Sequence, residues 1–330
     1  MKEKILNETH LASTVGATAD NARYDTAVKE LLADKQILAM ILKYSLAEFE
    51  DMSVQEIWDC LDEPLVSQIQ VEPGQTNTSK VKKSSEEDSV IGEGKLLYDI
   101  RFSAYLKVVN EDKVVTKIIK FLMNVEAQKS TKKNELGYEI DNRIIFYMSR
   151  MVSSQKEVEF VNSNYDDIKP VRSIWICMDG DTDKDSINRL RLKQENVYGK
   201  ELPFNNLDKF VGVVITLRKN DNVEESKNIL IAMLEDLLRQ DDAEVKKQKL
   251  SKRGLKMTES IERKVNTMCN LSEVLIEKGY EQGERQGYER GERNIILSMI
   301  ANGKKVEEIA DFTGIEIEKI IMLSDTLEKA

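Results

Sequence analysis

Histidine is almost missing from this chain, with His10 the only one in 330 residues. Triads built on a histidine and imidazole-rich metal sites are therefore nearly excluded, and any chemistry has to rest on carboxylates, amides, Lys, Arg or Tyr. Cysteine is scarce as well. Cys60, Cys177 and Cys269 are widely spaced and odd in number, which argues against a disulfide framework or a zinc site and fits a reducing cytoplasm. No apolar run approaches the roughly 18 residues of a membrane span, and the first residues lack the apolar core of a signal peptide. No membrane association is expected. An excess of positive charge is also lacking: 49 Lys and Arg against 59 Asp and Glu give a net charge of −10. This argues against a surface coated with basic charge for gripping nucleic acid, though not against a local basic cleft.

What is there falls into four stretches. Residues 1–20 form a polar leader. Residues 21–222 read as an α/β domain. It opens with an amphipathic helix over 24–46, on which Ala27, Leu31, Leu38, Ile41 and Leu42 recur at helical spacing. A short helix follows, opened by Ser53 and Glu56 at capping-box spacing. The stretch 70–92 is polar and rich in turn formers, so it is expected to be an unstructured insertion. An apolar hairpin over 96–130 comes next, then a helical "YEIDNRIIFYMSRMVSSQ" and two buried strands, "VRSIWICMD" and "DKFVGVVITLRKN". The order helix, strand, strand, helix, strand, strand predicts a mixed central sheet flanked by helices.

Residues 223–294 are expected to be helical. Within them Gly279, Gly283, Gly287 and Gly291 recur every fourth residue. Two readings stand: one face of a helix shaped for close approach to another helix, as in a homo-oligomer, or a frayed linker. Residues 295–330 have the rhythm of a helix–turn–helix with Gly314 at the turn. Glu316 and Glu318 beside Lys319 suit phosphate contact poorly, so packing or oligomerisation is the leading expectation.

The hairpin carries the candidate chemistry. Alternation puts Ile100, Phe102 and Ala104 on one face of its first strand and Asp99, Arg101 and Ser103 on the other. On the second strand Phe121, Met123 and Val125 oppose Asn124, Glu126 and Gln128. Pointing both apolar faces into one core fixes the parity of pairing. A turn centred on Asp112 and Lys113 then sets Asp99 opposite Glu126. Two adjacent carboxylates repel unless positive charge lies between them. One reading makes them solvated residues of a wet sheet face, with Arg101 as compensating charge. The other makes them ligands of Mg²⁺, which takes one or two carboxylates and fills its shell with water and phosphate oxygens. Gln128, on the same face as Glu126, would then hold the attacking water.

At these residues the chain resembles the PD-(D/E)XK nuclease superfamily, and within it the recombination-promoting nuclease and transposase family of bacteria. Asp99 in "LLYDIRF" and Glu126-Ala127-Gln128 in "MNVEAQKS" are similar to its Asp and (D/E)-x-K elements. Asp25 and Lys29 in "YDTAVKELLAD" resemble its opening helix, and Arg143 and Tyr147 its later one. The likeness extends to the glycine-spaced tail. It implies a restriction-endonuclease-like core with a helical carboxy-terminal tail, and a cytoplasmic endonuclease acting on double-stranded DNA. Asp99 and Glu126 would bind Mg²⁺ or Mn²⁺, and Asp99, Glu126 and Gln128 would be catalytic. Gln128 stands where the superfamily usually has lysine and supplies hydrogen bonds without charge. Lys129, one residue along the strand, faces the other way. For Asp25 and Lys29 an intrahelical ion pair competes with a place near the metal. For Arg143 and Tyr147, packing against the sheet competes with contact to a phosphate. A scaffold or regulator that keeps the nuclease fold but cuts weakly, or only binds, is the alternative function.

Overall fold

The structure, a computed structural model, describes residues 21–66, 87–90, 94–97, 99–111, 114–179, 184–218 and 225–327. The leader 1–20, most of the polar insertion and the turn at Asp112 and Lys113 lie outside the described residues. The chain divides into two compact units, one spanning Ala22–Cys269 and the other containing Asn270–Ala330.

In the first unit the opening amphipathic stretch forms two helices, α1 over 21–32 and α2 (Lys35–Ser45), rather than one helix over 24–46. Asp34 explains the break. Its side chain accepts from the Gln36 N–H at 3.0 Å and caps α2, a role in which a short acid competes with helix continuation. α3 (Val54–Cys60) starts at the expected capping box, with both reciprocal bonds between Ser53 and Glu56 formed.

The main sheet has strand order β1-β4-β5-β6-β8-β7, where β1 is Leu65–Val66, β4 Ile100–Val109, β5 Val115–Ser130, β6 Val171–Asp179, β7 Ser186–Arg191 and β8 Phe210–Thr216. β4 runs antiparallel to β5, β5 and β6 are parallel, β6 and β8 are parallel, and β7 closes the edge antiparallel to β8. The edge strands β1 and β7 were not expected. β1 has two residues, and "SINRLR" in β7 lacks apolar alternation. The end of the expected insertion is structured too, because β2 (Glu87–Val90) pairs with β3 (Gly94–Leu97) in a separate two-stranded sheet. The strand expected to run unbroken from Leu96 is therefore interrupted, and Asp99 sits in a bend just before β4.

Two short helical pieces follow β5: α4 (Lys133–Leu136) and α5 (Ile140–Ser153). α5 is the crossover that the parallel β5–β6 pair requires. Its Ile144, Tyr147, Met148 and Met151 pack on Leu122, Val171 and Trp175. A Cβ at Gly212 would lie 3.2 Å from Ile144 Cγ2 and 3.3 Å from Met148 Sδ, so glycine there lets the helix approach β8 closely. On the opposite face Phe121 meets Phe49, ring centroids 6.0 Å apart, and the Arg172 guanidinium. α6 (Ile229–Arg239) and α7 (Ala243–Lys252) are capped by Asn228 and Asp242. Buried Asp236 is held by Lys249 at 3.0 Å and by Arg253.

α8 (Glu259–Ala301) begins in this unit and continues into the second. The glycine-spaced stretch is helical. A Cβ at Gly279, Gly283, Gly287 or Gly291 would meet nothing within 4 Å, so among the described residues the stripe has no close partner. In the second unit α9 (Val306–Thr313) and α10 (Ile317–Leu327) are joined through Gly314, as the helix–turn–helix rhythm requires. Ile296, Ile309 and Ile320 form the small core. Lys319 pairs with Glu292 at 2.8 Å, which takes its charge into an intramolecular bridge. Among the described residues no helix is long and apolar enough to cross a membrane.

Candidate functional site

β4 and β5 pair in the register that brings Asp99 level with Glu126, since Ile100 lies opposite Val125 and Arg101 opposite Asn124. The apolar faces point into the core as parity demands: Ile100, Phe102, Ala104, Met123 and Val125 are all buried. The polar face is not wet, however. Asn124 is fully buried and Glu126 is 1% exposed, because α5 packs over this side of the sheet. The reading of Glu126 as a solvated carboxylate is therefore corrected.

The two carboxyl groups are joined through the backbone. The Asp99 N–H donates to Glu126 Oε1 at 3.1 Å, and the Ala127 N–H donates to Asp99 Oδ2 at 3.0 Å. Asn124, two residues earlier on the same face, donates from Nδ2 to Glu126 Oε1 at 3.0 Å. Its Oδ1 is buried without a hydrogen-bond partner among the described residues. Such an acceptor costs stability unless a water or a cation meets it.

Positive charge reaches the pair from two sides. Lys29 on α1 lies 2.9 Å from Asp99 Oδ1 and 2.7 Å from Asp25 Oδ2. Burial pulls the Lys29 ammonium down, yet Asp99 and Asp25 together leave it above its ordinary value. The i, i+4 pair is an intrahelical bridge, and its Lys29 also engages Asp99.

On the other side Arg143 of α5 lies 4.0 Å from Glu126 Oε2 and donates to Gln128 Oε1 at 3.1 Å. It also donates to the hydroxyls of Tyr147, at 2.8 Å, and Tyr138. Its guanidinium lies 5.0 to 5.6 Å from the ring centroids of Tyr138, Tyr147 and Trp175. Tyr147 and Trp175 in turn make an edge-on ring contact with centroids 5.1 Å apart. Burial and the Glu126 charge push the Tyr147 phenol up to about 12. Tyr147 therefore serves as a neutral hydrogen-bonding group.

Burial, and then the neighbouring Asp99, push the Glu126 carboxyl from 4.5 up to about 8. The hydrogen bonds from the Asp99 N–H and Asn124, and the Arg143 charge, do not fully offset this.

Asp99, Glu126, Gln128, Asp25, Lys29, Arg143 and Tyr147 thus converge. Asn124, Tyr138 and Trp175 belong to the same cluster and were not singled out in the sequence. Asn124 is signalled by its i−2 relation to Glu126. Tyr138 lies before α5, outside its helical period, where the left-handed Gly137 ends α4, and it gave no signal. The Lys129 side chain lies outside the described residues.

Among the described residues no group of three or more His, Cys, Asp or Glu side chains is arranged to hold a metal ion. The oxygens present do fit a hard cation that keeps most of its water. Two carboxylates are adjacent, one is buried with its carboxyl pushed up by that burial, and Asn124 Oδ1 has no hydrogen-bond partner among the described residues. No family model, no curated protein and no solved structure matches the chain.

Proposed function

We propose that the chain is a Mg²⁺-dependent endonuclease that hydrolyses phosphodiester bonds in double-stranded DNA, of the kind that acts in recombination and transposition. The single observation that carries this reading is the Asp99–Glu126 contact across the β4–β5 pair in a buried setting that raises the Glu126 pKa. Support also comes from the order α1, β4, β5, α5, β6, with the crossover helix bringing Arg143 to Gln128. This order resembles the PD-(D/E)XK core, α-β-β-β-α-β, with one strand fewer between the first helix and the crossover helix.

Asp99 and Glu126 would hold Mg²⁺ or Mn²⁺, which when bound polarises the phosphate and lowers the pKa of a coordinated water. Asn124 fixes the Glu126 carboxylate by donating to Oε1. Arg143 fixes the Gln128 amide by donating to its carbonyl oxygen, which leaves the Gln128 amino group as a donor toward water or phosphate. Lys29 supplies from α1 the positive charge that Gln128 does not, and it stands on Asp99 rather than on the next strand position. Arg143, held by two phenols and a glutamine, lies 4.0 Å from the buried carboxylate and suits the negative charge carried by the phosphoryl oxygens.

A second reading is a scaffold or regulator that keeps the fold without cutting efficiently. It is favoured by the ion pair that already engages Asp99 Oδ1 and by the exposed helical stretch around the glycine stripe, which suits self-association. Plasmid DNA incubated with the chain and Mg²⁺ separates the two. Nicking that disappears in Asp99→Asn and in Glu126→Gln supports the nuclease. Equal nicking by the parent and both variants, or none by the parent, rejects it.

A further inference from the structure

A pocket of about 690 Å³ is bounded by residues of α1, α2, α3 and α8, within the size range of small-ligand sites. Its lining includes Glu30, which follows Lys29 on α1, and Val66, which pairs with Ile100, the residue after Asp99. Its most distinctive wall is Trp58 of α3. This indole is 39% exposed, although large aromatic rings are usually covered. Lys35 Nζ stands 4.3 Å from its ring centroid and braces it.

The charges in the pocket are three lysines and three acids, Lys35, Lys256, Lys264, Glu30, Asp34 and Glu63. Lys264 is paired with Asp34 at 3.1 Å, and Lys35 reaches the exposed Glu63 at 3.6 Å. Lys256 has no carboxylate partner among the described residues. Its backbone is fixed instead, since its N–H donates to Gln36 Oε1 at 2.8 Å and its carbonyl accepts from Gln36 Nε2 at 3.2 Å. A flat apolar ring and a cation anchored through its own backbone therefore share one pocket. That pairing suits a ligand with a planar heterocycle and an anionic group.

We propose that this pocket holds one unpaired nucleotide of a nucleic-acid strand, its base stacked on Trp58 and its phosphate at Lys256. Stacking on a tryptophan reads no particular base, so the pocket is tolerant of sequence. A strand held here would present unpaired nucleotides to the chain, which favours activity at frayed ends and single-strand junctions. That last consequence rests on the proposed function; the binding itself does not.

The test uses the intact chain. Its two tryptophans differ sharply, Trp58 half-exposed and Trp175 fully buried, so ligand quenching reports on Trp58. Emission is followed on adding dAMP, inorganic phosphate or a six-nucleotide dA strand. Anisotropy of the fluorescein-labelled strand is measured for the parent, Trp58→Ala and Lys256→Glu, all in an Asp99→Asn background that prevents cutting. The expected results are saturable quenching by dAMP and by the strand, tighter binding of the strand, no quenching by phosphate, and about tenfold weaker strand binding in each variant.

Quenching by phosphate as strong as by dAMP would make this an anion site and overturn the proposal. So would binding of dAMP without binding of the strand, which points to a free-nucleotide pocket. Absence of any quenching overturns it outright. Plasmid nicking is scored separately. A chain that binds the strand but does not cut keeps the pocket and loses the nuclease, and one that cuts without quenching does the reverse.

Discussion

The sheet-bearing unit and the carboxy-terminal helical unit treat charge in opposite ways. In the first, ionisable groups are buried and answered: Glu126 beneath Arg143, Arg172 against Glu48, and Asp236 between Lys249 and Arg253. In the second, charged pairs are largely exposed. Arg285 and Glu289 stand 3.8 Å apart and Lys304 and Glu308 3.7 Å apart, and both pairs are at least half-exposed. Its core is mainly the three isoleucines 296, 309 and 320. Burying charge is expensive, and apolar substitutes often stabilise a fold as well or better. A unit that bears this cost at one face of its sheet is the place to look for chemistry.

The largest effect is expected on cleavage: Asp99→Asn and Glu126→Gln should each lower plasmid nicking by at least about a hundredfold while circular dichroism stays that of the parent. Next comes Trp175→Ala, which opens a cavity between α5 and the sheet. Its expected cost is about 3–5 kcal/mol in chemical denaturation of the sheet unit. Ile309→Ala should cost about 2–4 kcal/mol, but only in the carboxy-terminal unit. Amide exchange should quicken in α9 and α10 and leave β4 to β6 protected, and exchange that quickens in both units would end the view of two separate compact units.

A pH profile sharpens the contrast further. The folded Glu126 carboxyl titrates near 8 and the unfolded one near 4.5, so the folded chain retains a proton between those values. Its contribution is fully present below about pH 4.5 and is lost as pH rises toward 8. The metal-free parent should therefore lose denaturation midpoint from pH 5 to pH 8 relative to Glu126→Gln, whose profile should be flatter over that window. Parallel profiles for the two proteins would contradict the burial account. The smallest effect is expected at Lys319→Ala, below about 1 kcal/mol, because its bridge to Glu292 is half-exposed.

Much of the site was legible because a strand has only two faces. Once Phe102 and Met123 had to share a core, Asp99 and Glu126 had to be neighbours whatever the details of the turn. The capping box at Ser53 and Glu56 and the break at Gly314 were equally local and equally readable. What escaped reading depends on partners distant in sequence. Nothing near Glu126 says that α5 will bury it, since that follows from the parallel pairing of β5 with β6. Nothing near Asp25 says that Lys29 will reach Asp99. The single helix expected over 24–46 failed for a different reason: Asp34 fits the apolar period of its neighbours, but its side chain has more to gain as a cap than as an interior helix residue.

The central claim is that Asp99 and Glu126 together form a cation site, and the most direct measurement is calorimetric titration of the metal-free chain with Mn²⁺ at pH 7.5. The account predicts saturable binding, with release of protons as Glu126 ionises, that is lost in the Asp99→Asn/Glu126→Gln double variant. Heat that is absent in the parent, or that is the same in parent and double variant, would contradict it.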